Sequence, residues 1–171
     1  GGWGCKREGC GAGRATYAAY RQRAEEFGGT TKDVLELVAE HPLGVLGEID
    51  ARVTYQDSCH LVHAQKVRTA PRVILNAIPG LELREMAAPD RCCGSAGIYN
   101  LVQPDTADQL GARKARHIDA LKPDVVATGN PGCLLQVSAE ARRAGFRLPI
   151  VHPIELLDAS IGNRPLSVPQ S

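Results

Sequence analysis

Four cysteines carry the most reactive chemistry in this chain: Cys59, the adjacent pair Cys92-Cys93, and Cys133. A thiolate is both a nucleophile and a soft metal ligand. Adjacent cysteines strain badly when bonded to each other, so Cys92-Cys93 points to ligation or redox chemistry rather than to a structural staple. Asn130-Pro131-Gly132-Cys133 reads as a helix start: an N-cap, a proline at the first helical position, a glycine allowing close approach, and a cysteine in the first turn. Free N–H groups and the helix dipole favour a thiolate there. Asp57-Ser58-Cys59 suggests a similar cap, and Cys93-Gly94-Ser95-Ala96-Gly97 is a flexible turn whose amides can approach sulfur.

Around these ligands, His60, Gly94, Ser95, Asn130 and His152 are expected to orient or hydrogen-bond the site. His60 and His63 lie three apart and share a helix face, but a role for His60 in orienting Cys59 is preferred over ligation. His152 follows the last strand and overlooks the same crevice, with a satisfied structural role the better reading. Cys5 and Cys10 have no partner ligands and are assigned no site. The run Arg113-Lys114-Ala115-Arg116-His117 reads as the solvated face of a helix. Gly94-x-x-Gly97 lacks the lysine and third glycine of phosphate loops, so nucleotide binding is discounted.

Three chemistries suit this thiol set. The first is an iron–sulfur cluster passing electrons, favoured because adjacent ligands serve a multinuclear centre. The second is a structural zinc site on an interaction module, in which vicinal ligands strain a mononuclear tetrahedron. The third is metal-free thiol redox catalysis by Cys92 and Cys93, which needs a low-pKa thiol and an accessible route to a mixed disulfide.

The elements that must position these residues alternate. Strands are predicted at Ala51 to Tyr55, Leu81 to Met86, Asp124 to Thr128 and Pro149 to His152. Helices are predicted at Pro71 to Ile78, Pro104 to Leu121, Pro131 to Ala144 and Ile154 to Ile161. The long helix would bury Ala107, Leu110, Ile118 and Leu121. Alternation of this kind implies an α/β fold, a mostly parallel sheet flanked by helices, with its site at the strand C-terminal ends. Cys59, Cys92-Cys93 and Cys133 each follow a predicted strand and so meet at one edge. Before them, Arg14 to Phe27 and Thr30 to Glu40 read as two helices divided by Gly28-Gly29, the second with Val34, Leu35, Leu37 and Val38 as a buried stripe. His41-Pro42-Leu43-Gly44 marks a boundary. The expected organisation is therefore a helical segment over 1–44, a cysteine-rich domain over 45–162 and a flexible tail over 163–171.

Composition removes other functions. Twenty basic residues against nineteen acidic leave a net charge of +1, too little field to gather nucleic acid or an anionic membrane. No apolar run approaches the roughly 18–20 residues of a membrane span, and the first residues lack the features of a secretory signal. Six cysteines in such a chain fit a reducing, cytoplasmic setting. The glycine-rich start without methionine reads as the interior of something longer.

The motifs resemble the cysteine-rich CCG domain found in heterodisulfide reductases and in the iron–sulfur subunits of flavin-dependent 2-hydroxyacid and glycerol-phosphate dehydrogenases. That pattern is Cys, a spacer, Cys-Cys-Gly, a spacer, then Cys-x-x-Cys. Here thirty-two residues separate Cys59 from Cys92, Cys92-Cys93-Gly94 is intact, and thirty-six residues separate Cys93 from Asn130, which stands where the pattern has a cysteine. Together with Val151-His152-Pro153-Ile154-Glu155-Leu156-Leu157, these segments are most similar to glycolate oxidase iron–sulfur subunits, over about Gly47 to Ile161. Gly9-Cys10-Gly11-Ala12 resembles the end of a preceding CCG domain. The resemblance implies a 4Fe-4S type cluster on Cys59, Cys92, Cys93 and Cys133, a chain that is not catalytic alone, and the C-terminal part of an electron-transfer subunit. It also implies a flavoprotein partner, an acceptor such as quinone, and membrane association, if any, through the complex.

Overall fold

The computed structural model describes residues 18–166, leaving Cys5, Cys10 and the last five residues outside it. Four strands, β1 (Ala51–Gln56), β2 (Leu81–Arg84), β3 (Val125–Thr128) and β4 (Ile150–Val151), form one sheet in the order β2-β1-β3-β4. Every pairing is parallel, with Thr54 opposite Arg84, Gln56 opposite Thr128 and Ala127 opposite Val151. The chain moves outward from β1 to β2, then returns past β1 to build β3 and β4 on the other side. The connections therefore diverge between β1 and β3, which opens a crevice at their C-terminal ends.

Helices cover both faces, which is why β3 is buried along its whole length. On one face Val53, Tyr55, Ala127 and Val151 pack against α4 (Thr69–Ala77) and α8 (Pro153–Ile161) through Leu75, Ile78 and Leu156. On the other, Val126 and Ile150 meet Ile118 of α6 (Pro104–Leu121) and Val137 of α7 (Pro131–Arg143). Cys93 and Cys133 belong to this second core. Two short helices complete the site's frame: α3 (Cys59–His63) after β1, and α5 (Tyr99–Val102) before α6.

The N-terminal helices differ from expectation. Helix α1 (Ala18–Thr30) runs through Gly28-Gly29 rather than breaking there, and the Thr31 hydroxyl closes its end on the Phe27 carbonyl. Helix α2 (Val34–Ala39) begins only after Asp33, whose carboxylate accepts from Leu35 N–H in a capping box completed by Glu36. Its predicted stripe narrows to Leu35, fully buried beside Leu61, Ile74 and Leu157, while Val34 and Leu37 are exposed. A six-residue helix lying on α4 has room for only one deep contact. The long helix α6 buries Ala107 and Ile118 as expected, but Leu110 is only half-buried, and Lys114 is buried instead. In the tail, Leu166 packs against the first core. Among the described residues, no helix is long and apolar enough to cross a membrane.

Candidate metal centre

Each cysteine arrives on a different support. Cys59 opens α3, directly after β1. Cys92 and Cys93 lie in the loop between β2 and α5, and Cys133 sits in the first turn of α7, directly after β3. All four are free thiols; Cys93 and Cys133 are buried, and Cys59 and Cys92 are half-buried. Their sulfurs lie near one another in a row, Cys59 beside Cys92, Cys92 beside Cys93 and Cys93 beside Cys133, each close enough to shift its neighbour's pKa. Among the described residues, no three histidine, cysteine or acidic side chains enclose a point where a single ion would sit.

The row shares its protons unevenly. Interaction with the neighbouring Cys59 and Cys93 thiols holds Cys92 far below the ordinary thiol range, and backbone N–H groups of Gly94 and Ala96 reinforce this. Gly94 N–H donates to Cys92 Sγ at 3.3 Å. Cys133 is lowered by its bond with Cys93 against the opposing effect of burial. Cys59 and Cys93 are raised, first by those sulfur partners and then by burial. Four sulfurs this close in a low-dielectric site titrate as a set rather than one by one.

The turn after Cys93 wraps these sulfurs. Gly94 and Gly97 have φ of +99° and +56°, and a Cβ on Gly94 would lie 2.6 Å from the Ala107 carbonyl. Only glycine fits there, so this loop is pressed onto the start of α6. Ser95 Oγ lies 3.2 Å from Cys93 Sγ and 3.4 Å from where a Gly132 Cβ would stand, joining the loop to α7. Asn130 caps α7 as predicted, its Oδ1 accepting from Gly132 N–H at 2.9 Å and Cys133 N–H at 3.1 Å.

Other expectations meet different partners. Ser58 is the N-cap of α3 but makes no side-chain cap bond. Asp57, buried, instead forms a two-pronged ion pair with Arg72, both contacts at 3.0 Å. Arg72 also pairs with Glu85 after β2 and lies over the Tyr55 ring at 5.4 Å. One guanidinium therefore ties the loop bearing Cys59 to the segment leading to Cys92. The exposed His60 ring meets Gln65 at 3.0 Å, and its backbone rather than its ring contacts Cys59. His63 turns to Asp90, whose carbonyl is 3.4 Å away. His152 caps α8, its Nδ1 accepting from Ile154 N–H at 3.2 Å.

Lys114 is the residue that pattern reading missed. It is 2% exposed and donates from Nζ to the carbonyls of Ala88 at 3.0 Å and Pro89 at 3.2 Å. Burial lowers its pKa, and the electrostatic influence of the cysteine row and Asp90 opposes that shift. The basic run is thus not a uniform solvated face: Arg113 and Arg116 are exposed, but Lys114 points into the site wall. The available signal was its position three residues after Gly111 and seven after Ala107, on the buried stripe of α6.

The donor set fits an iron–sulfur group: four soft sulfur ligands with N–H and O–H donors beside them. Ser58 Oγ and Thr128 Oγ1, at the crevice end of β1 and β3, are buried without hydrogen-bond partners. Each such orphan costs about 1–3 kcal/mol unless a bound group relieves it.

Residues 53–138 match the cysteine-rich domain family CCG. The chain is 34% identical over 168 residues to a probable glycolate oxidase iron-sulfur subunit of Bacillus subtilis (strain 168), covering 91% of this chain and 38% of that protein. It is 30% identical over 161 residues to the glycolate oxidase iron-sulfur subunit of Escherichia coli (strain K12), covering 90% and 38%. Against a fumarate reductase (CoM/CoB) subunit of Methanothermobacter marburgensis it is 38% identical over 128 residues, covering 74% and 26%. The chain thus spans between a quarter and two fifths of the length of these relatives.

Proposed function

This chain belongs to the cysteine-rich CCG domain family, and from that membership we propose that it is the cluster-bearing portion of an iron–sulfur electron-transfer subunit. The observation that carries the reading is the convergence of Cys59, Cys92, Cys93 and Cys133 at the switch point of the sheet. These four thiols would hold the group, of 4Fe-4S type, with four ligands where the family pattern offers five. Bound there, it supplies a one-electron carrier. The residues do the rest: Gly94 N–H and Ser95 Oγ hydrogen-bond the sulfurs of Cys92 and Cys93, and Arg72 fixes two of the ligand-bearing segments relative to each other.

The partner in this reading is the flavoprotein of a 2-hydroxyacid oxidoreductase of the glycolate oxidase kind, supported by the names of two relatives. Substrate oxidation belongs to that flavoprotein, the acceptor is a quinone or its equivalent, and the chain is not catalytic alone. Free thiols suit a cytoplasmic site of action, with any membrane contact made through the complex. The thiolate character of half-buried Cys92 would also serve thiol–disulfide exchange, a reading that metal content separates from the first.

The test is a rapid-mixing experiment. Anaerobically prepared chain is mixed with the flavoprotein subunit from the same source in the presence of glycolate, lactate or glycerol phosphate. Bleaching of the chain's visible absorption, dependent on both flavoprotein and one of these substrates, is expected. Iron-loaded chain that stays oxidised with all three refutes the assignment.

A further inference from the structure

Beside Cys92 lies a cavity of about 130 Å³, lined by Arg91, Cys92, Leu110, Arg113, Lys114 and His117. Its construction follows from helix geometry. Leu110, Arg113, Lys114 and His117 recur three and four residues apart and so form one stripe of α6, facing the loop that carries Arg91 and Cys92. Four basic side chains therefore meet in one concave wall of a protein whose net charge is +1.

None of the ion pairs among the described residues involves Arg91, Arg113, Lys114 or His117. Asp90, the nearest acid in sequence, is taken by Arg68 at 2.9 Å. Lys114 spends two of its three N–H donors on backbone carbonyls and keeps one. His117 Nδ1 is buried with no hydrogen-bond partner. A buried ammonium with a spare donor, an orphaned imidazole nitrogen and two unpaired guanidiniums are what an oxyanion site offers.

We infer that this cavity binds a small oxyanion, held by Arg91, Arg113, Lys114 and His117. Size restricts the ligand. At about 130 Å³ the cavity has room for a phosphate or a short carboxylate. The anion would sit within the field of the thiol row, so its occupancy would register at the candidate metal centre. The site rests on α6 and the Arg91–Cys92 loop, and shares only Cys92 with the proposed metal centre.

The test titrates inorganic phosphate and, separately, acetate into the full chain by calorimetry at low salt, with iron content assayed on the same sample. Saturable binding of one anion per chain is expected for at least one of the two, and which one binds tells phosphate from carboxylate chemistry. Arg113→Glu, at an exposed position, should weaken it roughly tenfold or more, and Arg91→Glu should do the same, with unchanged circular dichroism. Absence of saturable binding for both anions overturns the proposal. So does binding that both charge reversals leave intact. Because iron is read independently, failure here is distinguishable from failure of the cluster assignment.

Discussion

A lysine ammonium taken out of water costs several kcal/mol unless it is hydrogen-bonded and faced with negative charge. Lys114 meets both conditions, with two carbonyl partners and the cysteine row beside it. A fixed cation there favours whichever state of the centre is more negative, which is the reduced one. Lys114→Met should therefore lower the midpoint potential of the centre by tens of millivolts, measured by redox titration followed by electron paramagnetic resonance. An unchanged potential in folded, iron-loaded variant protein would remove Lys114 from the site's electrostatics. His152 makes a second prediction at this scale. Burial lowers its pKa below 6.5, and its Nδ1 must be unprotonated to accept from Ile154 N–H. The unfolded chain therefore binds this proton first, and stability falls as pH drops from 6.5 toward the folded value. His152→Asn keeps a cap that does not titrate. It should flatten this part of the difference in thermal midpoint between about pH 7.5 and about pH 5.5.

At the scale of elements, the decisive joint is where the Cys92-Cys93 loop presses on α6. Gly94→Ala would place a methyl 2.6 Å from the Ala107 carbonyl and force alanine to φ +99°. The cost should be about 2 kcal/mol or more in urea unfolding, with iron content reduced because Cys93 moves with its neighbour. Much of this level was legible in the chain. The cap at Asn130 and the proline after it announced α7, since both act through local backbone bonds. The cap expected at Asp57 failed because Arg72, fifteen residues on, competes for that carboxylate, and no local pattern reveals a distant partner. Lys114 was obscured for a related reason. In a run of basic residues composition suggests solvent, and only the register of α6 against its neighbours decides which one turns inward.

For the whole molecule, alternation of strands and helices was sufficient to place the cysteines on one edge, because parallel strands all end on the same side. Strand order was not legible: that β1 and β3 are neighbours, with the crevice between them, depends on tertiary packing. The fold thus explains how thiols as far apart in sequence as Cys59 and Cys133 become one row. It also explains why the site needs no single continuous motif. Membership of the CCG family and the iron–sulfur subunits among the relatives support the proposed cluster. The most direct test is iron, acid-labile sulfide and zinc analysis of anaerobically prepared chain, alongside Cys133→Ser. The account predicts iron and sulfide in matching stoichiometry, little zinc, and loss of both iron and sulfide in the folded variant. Stoichiometric zinc without sulfide, or a Cys133→Ser protein with undiminished iron, would contradict it.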